Sequence, residues 1–125
     1  MNNQLLTSGV DIVKIDRFET LDPAIRVRFI NRVYTPAENK LCANRNESLA
    51  GRFAAKEAVA KALGCGIGTI RWQDIEILAE DSGKPLVNLT GKAKFEADAA
   101  AIYQINISLS HSKDYAVAFV IGETA

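Results

Sequence analysis

The spacing of apolar residues changes along the chain and separates helical from extended segments. Residues 5–13 are mostly apolar with small interruptions and end in β-branched side chains, which predicts a buried strand. Residues 15–21 place apolar side chains at helical spacing and predict a short helix. The chain therefore begins with a strand that leads directly into helix.

Three helix-start signals follow. Asp22-Pro23 combines a capping side chain with proline at the first helical position. Thr35-Pro36-Ala37-Glu38 repeats that signal and adds the glutamate of a capping box. Asn46 is expected to cap a long helix that ends at the glycines of residues 64–66. The predicted helices cover about residues 23–32, 36–43 and 46–64.

Beyond these glycines, apolar residues recur at every second position, which is the spacing of a strand. Residues 72–78 alternate and predict a strand, and a turn over 81–85 leads to a second arm at 86–89. The remaining segments are a helix opened by Thr90-Gly91 over about 91–101 and strands at 104–110 and 115–121. Strands and helices in this order predict an α+β fold, and we expect a single domain over residues 1–125.

Composition narrows the class of protein. The chain has 125 residues, 48% apolar, with a formal net charge of zero, so no overall field favours nucleic acid or a membrane surface. No signal peptide or membrane-length apolar run is evident, and we expect a cytoplasmic protein. Cys42 and Cys65 form no CxxC pair, which disfavours zinc and suits a reducing compartment. Cys65 lies between two glycines. It is interpreted either as a nucleophile or as a small residue in a turn.

The charge is nevertheless uneven. Residues 14–61 hold ten Lys and Arg against six Asp and Glu, and the rest of the chain has the opposite surplus. A basic helical half can attract an acidic partner by electrostatic steering.

The long helix carries charge beside its apolar face. Glu57 and Lys61 are one turn apart, on a stripe shared with alanines. The plain interpretation is an i,i+4 ion pair on a solvated surface. The alternative is a charged site with room for a ligand. The apolar face itself comprises Leu49, Phe53, Ala60 and Leu63.

Other polar residues strengthen the second interpretation. Asp11 interrupts an apolar strand, either as a strand-end cap or as a paired or metal-bound carboxylate. With Glu57 it would supply hard oxygen ligands for Mg²⁺, and Lys56 and Lys61 would bind phosphate. His111, the single histidine, is either structural or a hydrogen-bond donor at a strand end.

These residues carry a family resemblance. The chain resembles the holo-(acyl-carrier-protein) synthases, the short bacterial group of the 4′-phosphopantetheinyl transferase superfamily. Three segments carry the likeness: residues 9–17 (Gly-Val-Asp-Ile-Val, then Ile15 and Arg17), residues 51–64 (Phe-x-x-Lys-Glu-x-x-x-Lys) and residues 107–116 (Ile-Ser-Leu-Ser-His-Ser).

The resemblance implies a fold and a reaction. The fold would be an antiparallel sheet packed against a long helix, assembled as a trimer with active sites between neighbouring subunits. The reaction would move 4′-phosphopantetheine from coenzyme A to a serine of apo acyl carrier protein and release adenosine 3′,5′-bisphosphate, in support of fatty acid biosynthesis.

The resemblance also implies residue roles. Asp11 and Glu57 align with the ligands of Mg²⁺, and Glu57 or a metal-bound water would deprotonate the serine. Catalysis would rest on Glu57, Lys61 and His111. Arg17 and Arg26 would meet the acidic carrier. Coenzyme A would be contacted by Lys61, Gly64, Lys84, Pro85 and His111.

Three alternatives remain open. A broader phosphopantetheinyl transferase would be about twice this length. A non-enzymatic trimeric binding module would not need Asp11 and Glu57. A nucleic-acid binder is disfavoured by the zero net charge and by the lack of an aromatic-rich basic strand.

Overall fold

The structure is a computed structural model that describes residues 5–125. Its strands are β1 (Leu6–Lys14), β2 (Ile75–Ala79), β3 (Pro85–Leu89), β4 (Ile102–His111) and β5 (Tyr115–Thr124). Its helices are α1 (Asp16–Glu19), α2 (Pro23–Val33), α3 (Pro36–Cys42), α4 (Asn46–Leu63) and α5 (Gly91–Ala99). The predicted α+β class is confirmed.

The strands form two antiparallel sheets. One is three-stranded in the order β1-β5-β4, and the other is the β2-β3 hairpin. In the larger sheet Asp11 on β1 and Leu109 on β4 both oppose Ala118 of β5. Residues of β1 and β4 are thus separated by two strand spacings of about 4.8 Å each.

Helix α4 packs across β1 and β5 and is buried on almost every side. The predicted apolar face is confirmed, and the alanines at 50, 54, 55 and 58 are fully buried as well. Small side chains allow close contact with β1, where a Cβ on Gly9 would lie 1.9 Å from the Ala58 carbonyl oxygen. This approach brings the polar residues of β1 against those of α4.

The prediction that the first strand is buried is wrong for one of its faces. Gly9 and Val13 face α4, whereas Val10 and Ile12 are 53% and 64% exposed on the opposite face. That face also exposes Tyr115 and Phe119 of β5, at 46% and 48%. The sheet is covered by helix on one side only.

Two helix-start predictions are confirmed. The Asp22 carboxylate accepts from the backbone N–H of Ala24 at 3.0 Å. Thr35 and Glu38 form the reciprocal capping box, in which the Thr35 N–H donates to Glu38 Oε1 at 2.8 Å. The chain enters α2 and α3 with the N-terminal donors satisfied.

Two local predictions differ from the structure. Asn46 is the first residue of α4, not its cap; Arg45 occupies the cap position, and its side chain makes no capping hydrogen bond to the helix. The predicted strand from Trp72 begins instead with a 3₁₀ turn, Trp72–Asp74, and β2 starts at Ile75. The Asp74 carboxylate accepts from the Arg71 N–H and closes this turn.

Candidate active site

Asp11, Glu57 and Lys61 come together where β1 crosses α4. The Lys61 ammonium donates to the Val10 carbonyl at 2.8 Å and to Asp11 Oδ1 at 3.3 Å. Lys61 therefore pairs across to the strand, not along the helix with Glu57 as in a plain i,i+4 pair. The Asp11 side chain is 21% exposed, so the group is accessible from solvent.

The electrostatics of this cluster centre on Glu57. Burial raises the pKa of the half-buried Glu57 carboxyl, and the charge of Asp11 raises it further. The positive charges of Lys61 and Arg17 oppose this rise. Two carboxylates thus share one site with two cations at its edge.

The donor set fits a hard divalent cation. The described residues contain no group of three or more His, Cys, Asp or Glu side chains placed to hold a metal. Two carboxylates alone suit Mg²⁺, which keeps several waters and takes its remaining ligands from substrate phosphate. The like charges of Asp11 and Glu57 are the feature that such a cation would relieve.

The two arginines expected to meet a partner differ in their contacts. Arg17 is exposed on α1, with its guanidinium 5.5 Å from the centre of the Phe53 ring. Arg26 donates to the Phe18 carbonyl and, at 3.0 Å, to Asn44 Oδ1. Arg26 thereby ties the end of α1 to the turn before α4, and its role toward a partner stays a prediction.

The expected role of Lys56 as a phosphate ligand is wrong. Its side chain is fully buried, and its ammonium donates to Glu38 Oε1 at 2.8 Å. The other two donors go to the carbonyls of Trp72 and Ile75. An ammonium with three donors and three buried acceptors has none left for a substrate.

His111 lies apart from the cluster within one chain. It ends β4, two strands from β1, and is exposed. It borders a cavity of about 130 Å³ together with Gly51 and Arg52 at the start of α4. The chain alone therefore does not unite the three predicted catalytic residues.

The other predicted coenzyme A contacts lie at two separate places. Lys84 lies in the turn between β2 and β3, where the Glu80 N–H donates to the Lys84 carbonyl at 2.8 Å, and Pro85 is the first residue of β3. Gly64 ends α4 with φ 81°, a conformation that favours glycine, and borders a cavity of about 410 Å³. Their roles toward coenzyme A remain predictions.

One residue beside His111 had no predicted role. Arg52 lines the same cavity, and its Nε donates to the Ile77 carbonyl of β2 at 3.0 Å. The signal was present, because Arg52 lies within the motif segment that starts at Gly51. Arg52 links the hairpin to the His111 side of the molecule.

Comparison with known proteins decides the family. The model of the 4′-phosphopantetheinyl transferase superfamily matches residues 8–120. The chain belongs to this superfamily. The match includes Asp11, Glu57, Lys61 and His111 and confirms the resemblance drawn from the sequence.

Relatives in this superfamily cover nearly the whole chain. A holo-[acyl-carrier-protein] synthase of Natranaerobius thermophilus is 47% identical over 90% of this chain and 93% of its own. One from Alkaliphilus oremlandii is 48% identical over 90% and 94%. The solved Helicobacter pylori holo-[acyl-carrier-protein] synthase in complex with coenzyme A has a TM-score of 0.84 and 35% identity, covering 93% of this chain and 99% of that one.

The helices of the structure also bear on membrane association. Within residues 5–125, none of them combines the length and the apolar character that crossing a bilayer requires.

Proposed function

We propose that this chain transfers the 4′-phosphopantetheine group of coenzyme A to a serine of apo acyl carrier protein. The serine oxygen bonds to the phosphorus that carries pantetheine, and adenosine 3′,5′-bisphosphate leaves with the pyrophosphate bridging oxygen. The observation that carries the proposal is the Asp11–Glu57–Lys61 cluster in a chain of this superfamily. The holo carrier would support fatty acid biosynthesis.

Glu57 is the base in this proposal. A base with a raised pKa holds an abstracted proton more firmly than an ordinary carboxylate at neutral pH. The direction of the Glu57 shift supports this role, because burial, its largest cause, raises the pKa of the carboxyl whether or not the Asp11 charge is neutralised. Glu57 takes the serine proton as the oxygen attacks phosphorus.

Lys61 orients the phosphates. Its ammonium has three donors, and Val10 and Asp11 accept from it on one side. The side chain is 52% exposed, so a third donor can reach a phosphate oxygen. The positive charge then offsets the charge that develops as the pyrophosphate bond breaks.

Asp11 and Glu57 would hold Mg²⁺ in this enzyme. A bound divalent cation supplies charge neutralisation to the pyrophosphate. Asp11 also holds Lys61 by its ion pair and thereby fixes where the phosphate is bound. These roles use the two carboxylates and the one ammonium that β1 and α4 bring together.

We further propose that a trimer completes the site. The uncovered face of the β1-β5-β4 sheet presents Val10 beside Phe119, its register partner, with Ile12 and Tyr115 nearby. Contiguous exposed apolar side chains mark protein interfaces. Packing of this face would let the His111 edge of one subunit approach the Asp11–Glu57 cluster of its neighbour, where His111 would donate to a phosphate oxygen.

The free cysteines bear on the compartment. Cys42 is buried and Cys65 partly buried, and both are thiols. Free thiols suit a reducing compartment, and we propose that the reaction occurs in the cytoplasm.

A transfer assay tests the reaction. Purified protein, apo carrier, coenzyme A and Mg²⁺ are combined, and the carrier is weighed by mass spectrometry. We expect a gain of one phosphopantetheine group that disappears in chelator and returns with Mg²⁺ or Mn²⁺. A binding module would leave the carrier unmodified, and full transfer in chelator would remove the metal from the proposal.

Subunit mixing tests the shared site. Light scattering should give about three times the 13.6 kDa chain mass. Glu57→Gln and His111→Ala should each be inactive or weak alone. Refolding the two variants together should restore activity, because some interfaces then combine the His111 of a Glu57→Gln subunit with the Glu57 of a His111→Ala subunit. No recovery, or a fully active monomer, contradicts a site built between subunits.

A further inference from the structure

At Gly9, strand β1 lies directly against the backbone of α4. A Cβ on this glycine would stand 1.9 Å from the Ala58 carbonyl oxygen, 2.9 Å from the carbon of that carbonyl and 3.0 Å from the Ala62 nitrogen. These are backbone atoms of α4, so no side-chain rotation can make room for a larger residue. The absence of a side chain at position 9 is what lets the strand and the helix meet.

Backbone conformation does not explain the glycine at this position. Gly9 is not among the glycines of positive φ in residues 5–125. It lies in the regular pairing of β1 with β5, opposite Val120. A residue with a side chain adopts this extended conformation without strain. The requirement for glycine is therefore one of space, and α4 imposes it.

The contact lies among the residues of the candidate site. Asp11 follows Gly9 by two positions, so both side-chain positions belong to the face of β1 that looks toward α4. The two helix residues that Gly9 touches directly follow Glu57 and Lys61 in the sequence. Gly9 thus holds β1 against the stretch of α4 that carries the carboxylate and the ammonium of the site.

A side chain at position 9 would change the dimensions of the site. To reach the 3.4 Å at which ordinary van der Waals contact begins, strand and helix would have to separate locally by about 1.5 Å. Lys61 donates to the Val10 carbonyl at 2.8 Å and to Asp11 Oδ1 at 3.3 Å, and such a separation would break or lengthen both bonds. A displacement of about 1 Å at a site that works by positioning can cost about 10²-fold in rate.

We propose that Gly9 is a positioning residue of the transfer reaction. By bringing β1 against the α4 backbone, it sets the separation of Asp11 from Glu57, and with it the space for the divalent cation that these two carboxylates would hold. Gly9 acts through the strand and the helix that it allows to meet. The inference rests on the proposed function and adds to it the backbone contact that fixes the width of the site.

Transfer kinetics with Gly9→Ala test the proposal. We expect kcat per folded molecule to fall about a hundredfold and the Mg²⁺ concentration for half-maximal rate to rise, with the KM for the carrier unchanged. Gly66→Ala is the matched control, because it makes the same change where a Cβ meets no atom within 4 Å and φ is not positive. The control should transfer at the wild-type rate.

Binding of Mn²⁺ gives a measurement that does not depend on turnover. Mn²⁺ is titrated into each protein with coenzyme A present and the carrier absent, and the free ion is followed by its paramagnetic resonance signal, corrected for Mn²⁺ bound by coenzyme A alone. We expect binding to weaken about tenfold in Gly9→Ala and to stay unchanged in Gly66→Ala. Val120→Ala opens a cavity beside Gly9 without forcing β1 from α4, so it should lose stability and keep its affinity for Mn²⁺.

Val13→Leu covers the case in which Gly9→Ala does not fold. Val13 is buried on the same face of β1, two positions beyond Asp11. Its one added carbon should move the strand by a smaller distance, because a leucine side chain can adjust where a backbone cannot. We expect weaker Mn²⁺ binding in this variant too, by a smaller factor.

The outcomes separate the two proposals. Transfer by the wild type with unchanged kcat and Mn²⁺ affinity in Gly9→Ala overturns the positioning role and leaves the reaction standing. Equal losses in Gly9→Ala and Val120→Ala assign the effect to stability and also overturn it. If Gly9→Ala does not fold, unchanged Mn²⁺ affinity in Val13→Leu overturns it. Absence of transfer by the wild type contradicts the proposed function, and the Mn²⁺ titration alone then decides the role of Gly9.

Discussion

Two acid–lysine pairs share helix α4 and differ in almost every physical respect. Lys56 and Glu38 are both fully buried, with 2.8 Å between ammonium and carboxylate. Lys61 and Asp11 are 3.3 Å apart and partly exposed, with Glu57 beside them. Lys56 and Glu57 are neighbours in sequence, so about 100° of helical rotation separates a structural charge from a reactive one.

The difference lies in what remains unsatisfied. Each donor of Lys56 has a buried acceptor, and Glu38 also accepts from the N–H groups of Thr35 and Ile77. At Glu57, burial and then the charge of Asp11 raise the pKa of the carboxyl, and solvent is at hand. A completed network fixes structure, whereas an incomplete one with excess like charge can bind a ligand or a proton.

Among variants of the Asp11–Glu57–Lys61 cluster, Glu57→Gln should have the largest effect on the rate of transfer. Loss of the base should lower kcat about 10²- to 10⁴-fold, the usual contribution of a positioned general base. The melting temperature should stay unchanged or rise, because the buried charge is gone. Steady-state transfer kinetics and thermal unfolding of the same preparation measure both.

Glu96→Gln on α5 is the matched control for that experiment and should be fully active. A Glu57→Gln enzyme that retains wild-type kcat would remove Glu57 as the base and erase the distinction between the two pairs.

Lys56→Met should show the reverse pattern. It leaves Glu38 as an uncompensated buried charge, which costs about 3–5 kcal/mol of unfolding free energy. Activity per folded molecule should be unchanged, because Lys56 has no donor for substrate. Denaturant unfolding measures the loss.

The double variant Lys56→Met/Glu38→Gln sharpens the result. Glutamine keeps an acceptor for the Thr35 N–H and removes the uncompensated charge, so part of the lost stability should return. The Ile77 N–H and the two carbonyls that Lys56 satisfied still lack partners, which keeps the recovery incomplete. If the double variant is as unstable as the single one, the ion pair itself is not the source of the effect.

Lys61→Met should reduce transfer by a smaller factor. It removes one charge-assisted hydrogen bond to phosphate, worth about 1.5–3 kcal/mol, which corresponds to roughly a ten- to hundredfold loss in kcat/KM. Stability should change by less than about 1 kcal/mol, because the pair with Asp11 is partly exposed. Lys94→Met, which breaks the exposed pair with Asp98, is the control. A stability loss as large as that of Lys56→Met would contradict the comparison.

The sequence predicted the elements well and their packing less well. The caps at Asp22 and Thr35 depend on neighbouring residues, and both are present. Glu38 was recognised as a capping residue, but its bond to Lys56 spans 18 positions and depends on how α3 meets α4. No local pattern reports such a contact, so the sequence alone favours phosphate as the partner of Lys56.

The same limit applies to the site. Asp11 stood out because it interrupts an apolar strand, and Glu57 and Lys61 because they lie off the apolar face. The structure brings these three together. It leaves His111 two strands away, since the register of β4 and β5 sets that position. The exposed face of β1 was also missed, because alternation in a strand of apolar residues leaves no polar marker of its open side.

The smallest expected effect is a pH dependence of stability that arises at Glu57. Its pKa lies above the ordinary value of 4.5, chiefly through burial and then through the charge of Asp11. The folded state therefore binds this proton more tightly than the unfolded state, and the contribution of Glu57 to stability falls as pH rises above about 4.5. Urea unfolding of wild type and Glu57→Gln in chelator, over a pH series, should show wild type losing stability relative to the variant as pH increases.

Lys61→Met should extend that loss to higher pH, because Lys61 holds the pKa of Glu57 down. Mg²⁺ at neutral pH should then stabilise wild type and have little effect on Glu57→Gln. A stability difference that is flat with pH, or equal stabilisation of both proteins by Mg²⁺, would place Glu57 with the satisfied charges of the buried pair.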